Sequence, residues 1–324
     1  MVNFLNNLIR KALNLSIYIQ EFEKKHGKII PIAYTLISSL LFVIVSKIVR
    51  SLHGFGSSQI FFFRSIISLS ISTILISIMG DSPYTNDKAI HKLLIFRCLI
   101  AGVGHYSFYQ AMYMLDVTES VTIFQTSPFW VTILAGIILK EKIKANMFYT
   151  LFFSFLGILL IIQPPFMKNM FGMNNQQIEK DQSERILGFF FACLQSFMVG
   201  FAMVVVKKLS SGVSNLIIIH YALISGCLIG GLDIINYGKF NTEIFQSQTF
   251  ILVFLVAIFN YSAQLLYSRA IMLGEASKLV PFTYSQIVFG FIIEILIFHQ
   301  ETNLLSILGS SLIIFGNIYS YKKR

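Results

Sequence analysis

Ten apolar runs recur along this chain, at residues 29–48, 60–79, 93–114, 120–139, 148–162, 186–206, 216–235, 250–270, 279–298 and 304–321. Crossing the roughly 30 Å hydrocarbon core of a bilayer takes about 20 helical residues, and the runs have that length. The fifth is short as written and is expected to reach back to Asn146. A transmembrane β-barrel would alternate apolar and polar residues over segments of about ten, so each run reads as a helix. The expected fold is all-α and integral to a membrane, a bundle of ten transmembrane helices. Composition agrees with lipid as the solvent. Hydrophobic residues make up 55% of the 324 residues and charged ones 12%, against about 25% charged in a soluble domain. The mean hydropathy is +0.72. Cys98, Cys193 and Cys227 are odd in number and lie in apolar runs, without the spacing of a disulfide framework or a zinc site.

The formal net charge of +10 is spread over many short loops instead of one stripe, which excludes nucleic acid as the partner. Lys and Arg at helix ends set topology instead. With the N-terminus cytoplasmic and the loops alternating, 18 of the 25 basic residues fall on the cytoplasmic side. Arg64 lies inside the second run, and the other side receives only Lys47, Arg50, Lys168, Lys180, Arg185 and Lys239. A miscounted helix would invert the sides partway and erase this asymmetry, so both termini are expected in the cytoplasm. Residues 1–28 lack the apolar core and small-residue cleavage site of a signal peptide. Phe4, Leu5, Leu8, Ile9, Leu13 and Ile17 recur there at helical spacing among Asn and basic residues. That pattern suits an amphipathic helix on the membrane surface; a frayed tail is the alternative.

The longest polar stretch, residues 168–185, divides the runs five and five. An odd number per half forces a duplicated unit to insert upside down the second time, as in the inverted repeats of secondary transporters. Ala111, Asp116, Thr118 and Val121 recur as Ala270, Glu275, Ser277 and Val280, each 159 positions on. The expected division is a cytoplasmic segment at 1–28, a first repeat at 29–166, a polar non-cytoplasmic linker at 167–185 and a second repeat at 186–324.

Arg97, Ala111, Thr118, Pro128, Lys140-Glu141-Lys142, Gly157 and Gln163-Pro164-Pro165-Phe166 together resemble an EamA repeat, the building block of the drug/metabolite transporter superfamily. Within it, the first copy is similar to the G branch of solute carrier family 35. The second copy, from Ala270-Ile271-Met272 through Pro281 to Glu301, departs further, with Ile287 where the family often has a second proline. The resemblance covers about residues 28 to 321. It implies two inverted five-helix repeats around a central cavity lined by helices 1, 3, 4, 6, 8 and 9. It also implies a secondary-active transporter of a small organic metabolite, working by alternating access with no cofactor and no ATP hydrolysis. A homodimer is among the assemblies such a fold allows.

Polar residues in mid-membrane face a partner or a cavity, and these supply the candidate substrate contacts. His105 and Tyr109 lie one turn apart in the third run, with Arg97 two turns below on the same face. His105 suits proton coupling or substrate binding, or a neutral bond to a neighbouring helix; Arg97 suits substrate binding or a snorkelling helix end. In the fourth run Gln125 and Thr126 precede Pro128, which frees a carbonyl one turn earlier, near Phe124. Asn260, Gln264 and Tyr267 form one stripe, and Thr283, Gln286, Gly290 and Glu294 another; both suit substrate contact or interhelical bonding. Glu294 is read as the only acidic residue clearly within a span, a coupling carboxylate or a solvated group near the outer mouth, and Lys278 opens the ninth run. With Arg97, Lys278 and Arg64 against one acid, the expected partner besides the bilayer is a small polar solute, anionic or zwitterionic. No G-x-x-x-x-G-K-S/T loop, H-x-x-x-x-D or H-E-x-x-H pattern occurs, so neither an ATP-driven pump nor a membrane enzyme is expected. From a different class, a non-transporting adaptor acting through residues 1–28 remains the alternative.

Overall fold

The computed structural model describes residues 17–52, 55–85, 87–115, 117–163, 182–237, 240–298 and 304–322, and these contain helices and loops without strands. The helices are α1 (Ile30–Arg50), α2 (Ser57–Met79), α3 (Lys88–Met114), α4 (Val117–Phe124), α5 (Ser127–Ile138), α6 (Ala145–Ile162), α7 (Gln182–Leu209), α8 (Asn215–Tyr237), α9 (Ser247–Leu273), α10 (Ala276–Leu279), α11 (Ser285–Phe298) and α12 (Leu304–Lys322). Among the described residues, eight helical stretches are long and apolar enough to cross a membrane, with α4–α5 and α10–α11 each counting as one. The 27 residues of α3 suffice in length, but Arg97, His105 and Gln110 dilute its hydropathy. The apolar part of α12, Leu304–Tyr319, is shorter.

Several helices outrun their apolar runs: α3 starts at Lys88 and α7 extends from Gln182 to Leu209. Backbone hydrogen bonding continues past the hydrocarbon edge, where long basic side chains reach water while their stems stay on apolar surface. The ends are set by local chemistry. Gly80, in the left-handed region at φ 72, closes α2; its N–H bonds Ser77 O and the next N–H, from Asp81, bonds Ile76 O, a Schellman cap. Asp87 Oδ1 accepts from Ala89 N at 2.8 Å and opens α3.

The chain divides into two compact units, residues 1–99 with 205–274 and residues 100–204 with 275–324. In the first unit α1 packs along α9 and α2 along α8. Its cores are Leu52, Ile60, Ile244 and Val253, and Ile219, Leu223 and Tyr261. The described part of the N-terminal segment, helical over residues 17–25, is tied in by Glu23. That buried carboxylate accepts from Arg269 Nε at 3.1 Å, from Arg269 Nη2, and from Tyr34 OH at 3.2 Å. Most of the expected amphipathic pattern falls on residues 1–16, outside the described residues.

In the second unit α6 packs along α12. A Cβ on Gly157 would stand 2.5 Å from Gly309 O, and one on Gly316 would stand 3.4 Å from Thr150 O. Lipid tails are as apolar as leucine, so small residues that let backbones approach supply much of the attraction between such helices. Leu151, Ile158, Tyr284, Val288 and Ile313 fill the space beside this crossing. Outward-facing Ile74, Leu99 and Ile235 in the first unit, and Ile137 and Phe315 in the second, are more than half exposed. That surface suits lipid. Asp116, residues 164–166, Glu301 and most of the linker expected at 167–185 lie outside the described residues.

Candidate functional site

Two broken helices lie within the second unit. The fourth apolar run splits into α4 and α5 at Gln125–Thr126, and a 3-10 turn over Val280–Tyr284 separates α10 from α11. Pro128 has no N–H, and Phe129 N bonds Thr126 O at 3.0 Å, so Phe124 and Gln125 lose the donors a continuous helix would supply. Sequence placed the freed carbonyl near Phe124. The occupied one is its neighbour: Tyr284, fully buried, donates its hydroxyl to Gln125 O at 3.0 Å. These two residues are 159 positions apart, the offset of the sequence echo.

Thr126 Oγ1 donates to Ile123 O at 2.7 Å and shares a 2.8 Å hydrogen bond with Ser196 Oγ. Ser196 and its buried neighbour Gln195 were not among the expected site residues, although a polar pair inside the run 186–206 was a usable signal. A Cβ on Gly104 would stand 3.1 Å from Gln195 Oε1. His105 and Tyr109 on α3 and Gln286 on α11 are each partly buried in this unit. Thr283 departs from expectation. It sits in the 3-10 turn with its hydroxyl on Val280 O at 2.7 Å, out of α-helical register with Gln286, Gly290 and Glu294.

Lys278 lies on the four-residue α10 and forms an ion pair with Glu275 one turn away. The start of α10 is held by Glu141, whose carboxylate accepts from Ala276 N at 2.9 Å, from Ser277 N at 3.0 Å and from the Ser277 hydroxyl. Within the first unit, Lys207 Nζ donates to Met272 O at 3.0 Å and Gly274 O at 2.6 Å at the end of α9. An anion at a helix start and a cation at a helix end both oppose the helix dipole.

Asn260, Gln264 and Tyr267 share a face of α9 in the first unit. Asn260 is drawn to Arg64, whose Nη1 donates to its Oδ1 at 3.1 Å while the guanidinium stands 4.8 Å over the Phe61 ring. Arg97 differs. It is 6% exposed, nine residues past the start of α3, and its Nε and Nη1 have no hydrogen-bond partner among the described residues. Guanidinium does not shed its charge, and leaving two of its buried donors without acceptors is costly.

Glu294 is not alone among acids within helices. Glu119 on α4 and Asp233 on α8 are both buried. Glu119 pairs with Arg185 at 3.0 Å, and Asp233 accepts from Ser58 Oγ at 3.0 Å. Each acid therefore carries a partner distant in sequence, which no local pattern reveals.

Human solute carrier family 35 member G1 is 23% identical over 286 residues, covering 88% of this chain and 77% of that protein. An uncharacterized transporter of Helicobacter pylori is 22% identical over 294 residues, covering 89% and 93% respectively. A solved crystal structure, 11% identical, matches with a TM-score of 0.76 over 89% of this chain and 95% of that one; it shows the fold. The description EamA-like transporter family matches twice, at residues 28–163 and 186–321. An integral multi-pass membrane protein with two copies of that unit, this chain belongs to the EamA-like transporter family.

Proposed function

We propose that the protein is a secondary-active transporter of a small anionic or zwitterionic organic solute, working by alternating access without ATP hydrolysis. Arg97 carries the charge assignment. Of the three cations expected to face the solute, Lys278 has Glu275 beside it and Arg64 has Asn260. Arg97 is buried with two donor nitrogens open, and a carboxylate or phosphate oxygen is the acceptor that suits them. Asn260, Gln264 and Tyr267 in one unit, and His105, Tyr109, Gln125, Thr126, Lys278 and Gln286 in the other, are the further proposed contacts.

The architecture proposed with this function is ten spans in two inverted repeats, at 29–166 and 186–324, with both termini cytoplasmic. Charge asymmetry supports the orientation. Packing supports the two-fold relation: the approach of Gly157 to Gly309 recurs as that of Gly316 to Thr150, the same contact with its partners exchanged at the 159-residue offset.

The test is uptake of a panel of organic anions into liposomes bearing the purified protein, with Arg97→Gln alongside. Losing a charge-assisted hydrogen bond removes about 1.5–3 kcal/mol, so the KM for the transported anion should rise roughly 10- to 100-fold. Unchanged anion flux in correctly folded Arg97→Gln protein overturns the charge assignment. The rival adaptor reading is separated by deleting residues 2–16, which spares the Glu23–Arg269 pair. A transporter keeps its flux, whereas an adaptor loses its effect.

A further inference from the structure

Within the first unit, the start of α3 and the loop from α7 to α8 enclose a groove of about 460 Å³. Its apolar floor is Ile90, Leu93, Phe96 and Leu209, and one lysine rises on each side, Lys92 from α3 and Lys208 from the end of α7. Gly212 lets the loop close down on α3: a Cβ there would stand 2.5 Å from Ile90 Cδ1. Both lysines are exposed, and neither has a carboxylate within ion-pair distance among the described residues. From Phe96 at the groove's edge the apolar surface continues along α3 to Leu99, the two side chains 43% and 61% exposed.

The geometry points to a binding site for an anionic phospholipid, its phosphate held between Lys92 and Lys208 and its acyl chains laid along Phe96 and Leu99. The groove has the two chemistries of such a ligand in the right order. Cations stand at the helix ends, where headgroups lie, and an exposed apolar strip begins within about one turn and leads along the helix toward the hydrocarbon. A zwitterionic lipid would leave its own choline or ethanolamine cation beside two lysines, so net negative headgroups are favoured. Juxtamembrane lysines of this kind each contribute about fivefold to binding of anionic lipid. The inference rests on the protein spanning a membrane and is independent of which solute crosses it.

Native mass spectrometry of the purified full-length protein, titrated with phosphatidylserine or phosphatidylcholine in mixed micelles, tests this. Wild type should retain phosphatidylserine adducts in clear preference to phosphatidylcholine. A Lys92→Gln/Lys208→Gln variant should bind phosphatidylserine roughly 30-fold more weakly, with its thermal unfolding midpoint unchanged. The comparison variant is Lys140→Gln/Lys142→Gln, which removes two lysines that do not line the groove and should retain wild-type binding. Equal loss in both double variants would reduce the effect to diffuse surface charge and overturn the site. So would equal retention of the two lipids by wild type, or competition by inorganic phosphate as effective as that by the whole lipid.

Discussion

Removing the carboxylate of Glu141 should destabilise the second unit far more than its place in a Lys-Glu-Lys loop suggests. A helix start leaves its first N–H groups without intrahelical acceptors. At α10 these are Ala276 N and Ser277 N, both given to Glu141, while Lys278 N turns back to Glu275 O at 3.2 Å. Ala276 and Ser277 are fully buried, so water cannot replace the carboxylate. Each buried donor left unmade costs about 1–3 kcal/mol, which puts Glu141→Ala at about 2–6 kcal/mol for the two amides. For a chain of this size each kcal/mol lowers Tm by roughly 2 °C, so a mid-range loss corresponds to about 8 °C. Thermal unfolding in detergent, followed by intrinsic fluorescence, measures it. Ser277→Ala removes one donor to that carboxylate, leaves both amides bonded to it and should cost about 1 kcal/mol. A Glu141→Ala protein melting within about 2 °C of wild type, or no further than Ser277→Ala, would refute the reasoning.

Gly157→Ala places a Cβ 2.5 Å from Gly309 O and should cost about 1–3 kcal/mol by overpacking. Gly290→Ala meets no atom within 4 Å and should be neutral or slightly stabilising in the same melting assay. In the Glu23–Arg269 pair the side chains are 3% and 30% exposed respectively. Arg269→Gln therefore strands the more deeply buried charge and should lower Tm further than Glu23→Gln does; the reverse order would contradict the assignment. Tyr284→Phe leaves Gln125 O without its donor and should cost about 1–3 kcal/mol, again read as a lowered Tm.

Hydropathy made the apolar helices legible because it reports on solvent, and solvent acts on each segment locally. Pro128 likewise announced a freed carbonyl in the fourth run from its own neighbourhood, though not that the helix splits there. Partnership was not legible. Glu23 meets Arg269, Glu119 meets Arg185, and Glu141 meets Ala276, across 246, 66 and 135 positions respectively. An acidic residue at the edge of an apolar run looks solvated in sequence, and only the packed helices show whether it is. The same holds for Lys278, whose ion pair with Glu275 depends on the turn of α10. Thr283 failed as part of a stripe because Pro281, at the start of the 3-10 turn, resets the helical register before Gln286.

The two helix breaks constrain what any solute could recognise there. A discontinuous helix in a bilayer must satisfy its freed backbone groups without water, and transporters commonly leave such groups to the substrate or its coupling ion. Here the carbonyl of Gln125 is taken by Tyr284, the residue at the equivalent place in the second copy. The second copy has a single proline at its break: Pro281 ends α10 after four residues, while α11 continues unbroken past Ile287, from Ser285 to Phe298. One break thus caps the other through a side chain, which needs a hydroxyl at position 284 and an unpaired carbonyl at 125 together. With one lone pair of that carbonyl engaged from within, the contacts proposed near the crossing are side chains, His105, Tyr109 and Gln286. A solute bound there would be selected by groups that substitution can alter one at a time.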